Sequence, residues 1–141
     1  MEAQWWTSPA ESDDGRLIMV SGRSDVSKFR SNPRFNIRIE VLWPYDESPS
    51  AGMPSDKDAE IMGIATDNFD AILKKDAVAV MTGIFTGAGE RTWVFYTVST
   101  FIFQKKLNEA FADLPLLPLK ITAENDPDWE AYDEMMTFEI K

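Results

Sequence analysis

This 141-residue chain has no cysteine and no histidine. Without cysteine there is no disulfide framework, and without either residue no Cys- or His-ligated zinc site. Ser–His, Cys–His and histidine general-base chemistry from this chain are excluded too. Basic residues are scarce: 14 Lys and Arg stand against 24 Asp and Glu, a formal net charge of -10. The pI is about 4.4. Such a surface repels phosphate backbones and anionic lipid, so neither a nucleic acid nor a membrane is expected as a partner. A protein with a basic surface is the partner class the charge favours, and a homo-oligomer is compatible with it. Long apolar runs are missing as well, and none approaches the ~20 residues of a membrane span. The opening MEAQWWTSPAESDD has neither the basic nor the apolar region of a signal peptide, so a cytoplasmic location is expected.

What is present suits a globular chain. Hydrophobic residues make up 44% and aromatic residues 12%. One α+β domain over 1–141 is the expectation for this length. Its organising stretch is 77–97. AVAVMTGIFT and RTWVFYT flank GAGE, a hairpin signal with Gly87 and Gly89 at the reversal. Both runs are apolar on both faces, which suits the middle of a covered sheet. Trp93 and Phe95 point one way, Val94 and Tyr96 the other.

Around that hairpin the chain reads in order. Residues 4–7 and 16–21 form a strand pair joined by an Asp14–Gly15 reversal. Residues 24–34 are polar and loop-like. In 35–43, Phe35, Ile37, Ile39, Val41 and Trp43 alternate with polar residues, a half-buried strand ended by Pro44. A turn-rich loop with Pro49, Gly52 and Pro54 follows. Ser55 and Asp58 form a capping pair for a helix whose apolar stripe is Met62, Ala65, Phe69, Ile72 and Leu73. A second helix starts near Ser99, buries Phe103, Leu107, Ala110, Phe111 and Leu114, and stops at Pro115. Residues 117–123 make an edge strand. Residues 128–136 make a short amphipathic helix with Trp129, Tyr132 and Met136 inward. Strand, helix, hairpin, helix, strand is the split βαβ order of the ferredoxin-like fold. It predicts an antiparallel sheet with both long helices on one face, plus an N-terminal strand pair and a C-terminal helix. Ile37, Ile39, Val41, Phe69, Leu73, Phe103, Leu107, Phe111 and Ile121 are the expected core.

Short motifs occur in a fixed order: Trp5 or Trp6 ahead of RLIMV, GMP at 52–54, RTWVFY at 91–96 and DPDWEAY at 126–132. Together they resemble the bacterial domain-of-unknown-function family numbered 695. The last motif is also similar to the tail of the ribonuclease E inhibitor RraB-like proteins. The chain departs at its end, where DEMMTFEIK follows the Tyr in place of an apolar, Pro-ended segment. The resemblance implies an α+β fold and no reaction. An inhibitor role is implied for the RraB-like relatives only.

The residues that could carry chemistry also have structural readings. Asp126, Asp128 and Glu130 alternate like part of a calcium loop, but the central Gly is missing and Pro127 and Trp129 fill the spaces. A helix start explains them better: Asp126 as N-cap, Pro127 in the first turn, Asp128 and Glu130 on the helix dipole. On this reading Asp126, Pro127, Asp128, Trp129 and Tyr132 form a structural clasp or an interaction segment. Trp93, Phe95 and Tyr96 could stack bases on an open sheet, yet aromatic strands are more often core. Arg38 beside Glu40 reads as a solvated strand surface. Acid–base use of the loop carboxylates Asp13, Asp14, Asp46 and Glu47 needs burial or a partner, neither of which a sequence displays. No catalytic residue, cofactor or metal is expected. A protein-binding or regulatory module is therefore the first reading. A small-molecule-binding domain using the aromatic hairpin is the second, and an enzyme relying on carboxylates or lysine the third.

Overall fold

The computed structural model describes residues 4–46 and 52–139. Glu47 and Pro49 lie outside them. A hairpin opens the chain: β1 (Trp5–Glu11) and β2 (Leu17–Arg23) pair antiparallel. Gly15 makes its turn at φ 83°, a conformation that costs other residues strain. Next come a four-residue helix, α1 (Ser27–Arg30), and a long strand, β3 (Ile37–Pro44). Helix α2 (Asp56–Lys75) starts where the Ser55 hydroxyl accepts the Asp58 amide, 3.2 Å away. It leads into the central hairpin of β4 (Ala79–Gly87) and β5 (Glu90–Thr97). Helix α3 (Thr100–Phe111) is capped by Ser99 in the same way. Strand β6 (Lys120–Asn125) and helix α4 (Glu130–Met136) complete the described elements.

The strands form one six-stranded sheet, ordered β1-β2-β4-β5-β3-β6, with every pair antiparallel. The last four strands of that order are the ferredoxin-like frame. The N-terminal hairpin lengthens the frame by docking β2 on the free edge of β4.

Both long helices cover one face. Phe69 of α2 and Phe103 and Leu107 of α3 meet Ile39, Val41, Trp43, Met81, Trp93 and Phe95 there. A second core lies on the opposite face, where Val20, Val80 and Tyr96 pack under Val26 and Phe35, under Trp129, and under Tyr132 and Met135 of α4. A β-bulge lies in β4 between Met81 and Gly83. The extra residue resets the alternation, so Met81 and Ile84 both face the long helices while Val80 and Phe85 face α4. Gly83 has a packing role too: a Cβ there would overlap Met135 Sδ.

Several expectations need correction. Ile121 is 45% exposed, because α2 and α3 sit over the centre of the sheet and leave its β6 edge bare. Ile37, Leu73 and Phe111 are only partly buried at the core margin. The last strand begins at Lys120, three residues late, because Pro118 has no N–H for a ladder. The polar stretch 24–34 contains α1 and buries Val26, with Phe29 edge-on to Phe35 at 5.3 Å.

Candidate functional site

The DPDWEAY segment crosses the second face of the sheet. Its amide at Asp126 donates to the Asn36 carbonyl at 2.8 Å, prolonging the β3–β6 ladder by one pair. The chain then turns tightly, with the Trp129 amide on the Asp126 carbonyl at 3.1 Å. Trp129 takes the left-handed conformation at φ 56°. That strain persists because the side chain is held on every side. Its ring stacks on Tyr96 at 4.0 Å and meets Tyr132 edge-on at 5.5 Å, and its Nε1 donates to the Phe35 carbonyl at 2.8 Å. Tyr132 donates its hydroxyl to the Arg23 carbonyl at 2.6 Å, tying α4 to β2.

Asp126 caps the helix from further away than the spacing predicts. Pro127 and Asp128 precede α4, which starts at Glu130. The Asp126 carboxylate accepts the amides of Glu130 at 3.0 Å and Ala131 at 3.1 Å, and the Tyr96 hydroxyl at 2.6 Å. Asp128 is exposed and contributes its carbonyl to Arg30 Nη2 at 3.3 Å. Arg30 also grips Asp133 with both Nη atoms, at 2.5 and 2.6 Å.

Burial pushes the Asp126 carboxyl up, but the Tyr96 hydroxyl and the two helix amides outweigh it and hold the group below its ordinary value. Burial, then the hydrogen bond to Asp126, pushes the Tyr96 phenol up, so it stays a donor. The sign for stability follows. A depressed carboxyl stabilises the fold above its unfolded pKa of about 4, and the contribution disappears as pH falls through the lower folded value. Asp126→Asn should therefore be less stable than the wild type at pH 7, with the gap closing below about pH 4. Thermal melts of both proteins between pH 7 and pH 2 check this, and a gap independent of pH would refute it.

Alongside α4 the same face is open. A cleft of about 400 Å³ runs between the helix and the strands, lined by Arg38, Glu40, Leu42, Phe85, Glu90, Thr92, Val94, Ala131, Glu134, Met135 and Phe138. Its apolar floor comes from Leu42 of β3, Phe85 of β4, Val94 of β5 and Met135 of α4. Arg38 is not a freely solvated side chain: it is 14% exposed, and its Nη1 contacts Glu40 at 2.5 Å and Glu124 at 3.3 Å. Glu90 and Glu134 make no ion pair among the described residues.

Of the candidates read from the sequence, Asp126, Trp129 and Tyr132 come together under the sheet, and Pro127 and Asp128 remain outside. Trp93, Phe95 and Tyr96 are fully buried, so they offer no stacking surface. Asp14 bonds Ser12 and Arg16 in its own turn. The cleft was missed. Its only signal was the polar phase of the 35–43 strand, where Leu42 interrupts the polar series Asn36, Arg38 and Glu40. Among the described residues no cluster of acidic side chains is built to hold a metal, and no helix is long and apolar enough to cross a membrane.

A ferredoxin-like sheet with an added hairpin and a small helix pinned to its second face describes an α+β domain with two cores. The chain belongs to the Family of unknown function (DUF695), whose model matches residues 4–137. That span takes in both cores and all of DPDWEAY. No curated protein and no solved structure matches the chain.

Proposed function

We propose that the protein is a non-enzymatic binding module that captures a basic segment of a protein partner in the α4 cleft. The observation behind this reading is the pairing of an apolar floor with unneutralised acid. Leu42, Phe85, Val94, Met135 and Phe138 offer a seat for an apolar side chain. Glu90 and Glu134 line it without ion-pair partners among the described residues, and Arg38 of the lining is already engaged by Glu40 and Glu124. A segment with an apolar anchor flanked by lysine or arginine matches both features. The net charge of -10 steers such a segment inward. With neither His nor Cys in the chain, the usual nucleophile–base pairs are missing, which favours binding over catalysis.

The test uses a short Lys/Leu peptide and its Glu/Leu counterpart, titrated into isotope-labelled protein. The cationic peptide should shift the amides of Thr92, Val94, Ala131 and Glu134, and the anionic one should not. Glu90→Lys with Glu134→Lys should weaken binding by roughly tenfold or more, about 1.4 kcal/mol. Equal binding of both peptides, or shifts confined to another face, would overturn the reading.

A further inference from the structure

The two edges of the sheet are built differently. At one end β1 carries Pro9 in its middle, a residue that blocks further pairing. At the other end β6 has no proline and no bulge, and every one of its residues is exposed. Among the described residues nothing pairs with its outer side.

The phase of the β3–β6 ladder says which backbone groups are free. Asp126 donates to Asn36, its opposite neighbour one step beyond the ladder. In an antiparallel ladder hydrogen-bonded and non-bonded pairs alternate. The bonded pairs are thus Glu124 with Arg38, Thr122 with Glu40 and Lys120 with Leu42. Ile121, Ala123 and Asn125 consequently turn their N–H and C=O groups outward.

From this edge we infer that the protein forms a homodimer by antiparallel pairing of β6 with β6 of a second copy, about a two-fold axis through Thr122. That register is singled out by two independent requirements. First, it sets Ile121 opposite Ala123 of the second copy, and these are residues whose backbone groups point outward, so each such pair exchanges two hydrogen bonds. Second, it sets Lys120 opposite Glu124 of the second copy on one face, and does so twice by symmetry. Lys120 has no ion-pair partner among the described residues, while Glu124 touches only Arg38, at 3.3 Å. On the other face the half-exposed Ile121 gains an apolar neighbour in Ala123. The result is a continuous twelve-stranded sheet. The interface is small and joins two acidic chains, so association is weak and needs concentrated protein.

The experiment is sedimentation of the full chain at 10 µM to 1 mM, concentrations set by the ~µM–mM affinity of a small interface. The wild type should shift toward a dimer as concentration rises. Lys120→Glu alone and Glu124→Lys alone should each stay monomeric, because each places like charges opposite one another. Mixed together they should form a heterodimer, since every cross-strand pair is then Glu opposite Lys. Circular dichroism of each single variant verifies that it is folded. A wild type that stays monomeric at 1 mM would overturn the inference. So would single variants that dimerise like the wild type, or a mixture that does not associate. Glu124 also touches Arg38 of the cleft lining, so the α4 cleft is judged separately, by the Glu90 and Glu134 variants.

Discussion

Phe69→Ala is expected to lower stability by ~3 to 5 kcal/mol, the range for deleting a fully buried aromatic ring. Phe69 is 0% exposed and lies where α2, α3 and the sheet converge. Its ring meets Phe95 at 4.7 Å and Phe111 edge-on at 5.5 Å, with Trp93 at 6.3 Å and Phe103 at 6.5 Å. Removing it takes one partner from all four rings at once. Collapse into the gap is limited, because Trp93 is itself pinned by its Nε1 to the Thr66 hydroxyl at 2.9 Å. Total stability for a domain of this size is about 5–15 kcal/mol, so the loss is a large share of it. Urea titration should show a lower midpoint with an unchanged slope. Phe69→Leu, which refills most of the volume, should lose less than half as much. A loss below ~1 kcal/mol for the alanine variant would mean that α2 contributes little to the core. At temperatures where the variant is still folded its cationic-peptide affinity should be unchanged, because the α4 cleft is on the opposite face.

The frame was legible in the sequence for a physical reason: its signals are local. Alternation in 37–43, the Ser55 and Ser99 caps and the glycine-rich reversal at 87–89 each act within a few residues and are found as read, whereas Phe35, ahead of the strand, packs in the second core and not on the face of Ile37. What could not be read depends on contacts between distant segments. Whether Ile121 is covered depends on how far α2 and α3 reach across the sheet, which strand alternation does not encode. The bulge after Met81 has no local marker in the run and shows only in the register of β4 against β5. Asp126 was found as a cap, but its distance from the helix was not. The αL turn at Trp129 becomes tolerable only once Tyr96 and the Phe35 carbonyl are in place to hold the ring. The cleft exists because α4 covers one part of a sheet face and leaves the rest open, a property of no single segment.

Trp129→Ala should cost ~3 to 5 kcal/mol and lower Tm by roughly 10 to 20 °C. The indole is 1% exposed, so truncation leaves a cavity between Tyr96 and Tyr132. It also removes the donor to the Phe35 carbonyl, and an unmatched buried acceptor costs a further ~1 to 3 kcal/mol unless water enters. The left-handed backbone at this position gives no compensation, because alanine is strained there as well. Trp129→Phe separates the contributions: it keeps a ring against Tyr96, loses the hydrogen bond, and should fall between wild type and alanine. The consequence for function runs through α4. Trp129 immediately precedes the helix that presents Ala131, Glu134 and Met135 to the cleft. A loosened helix no longer holds that wall in place, so Trp129→Ala should weaken cationic-peptide binding even below its own Tm. Were Trp129 instead the contact residue for a partner, its replacement would abolish binding and leave the melt where it was. An unshifted melt therefore defeats the structural reading of DPDWEAY, and a shifted melt with Trp129→Phe in between supports it.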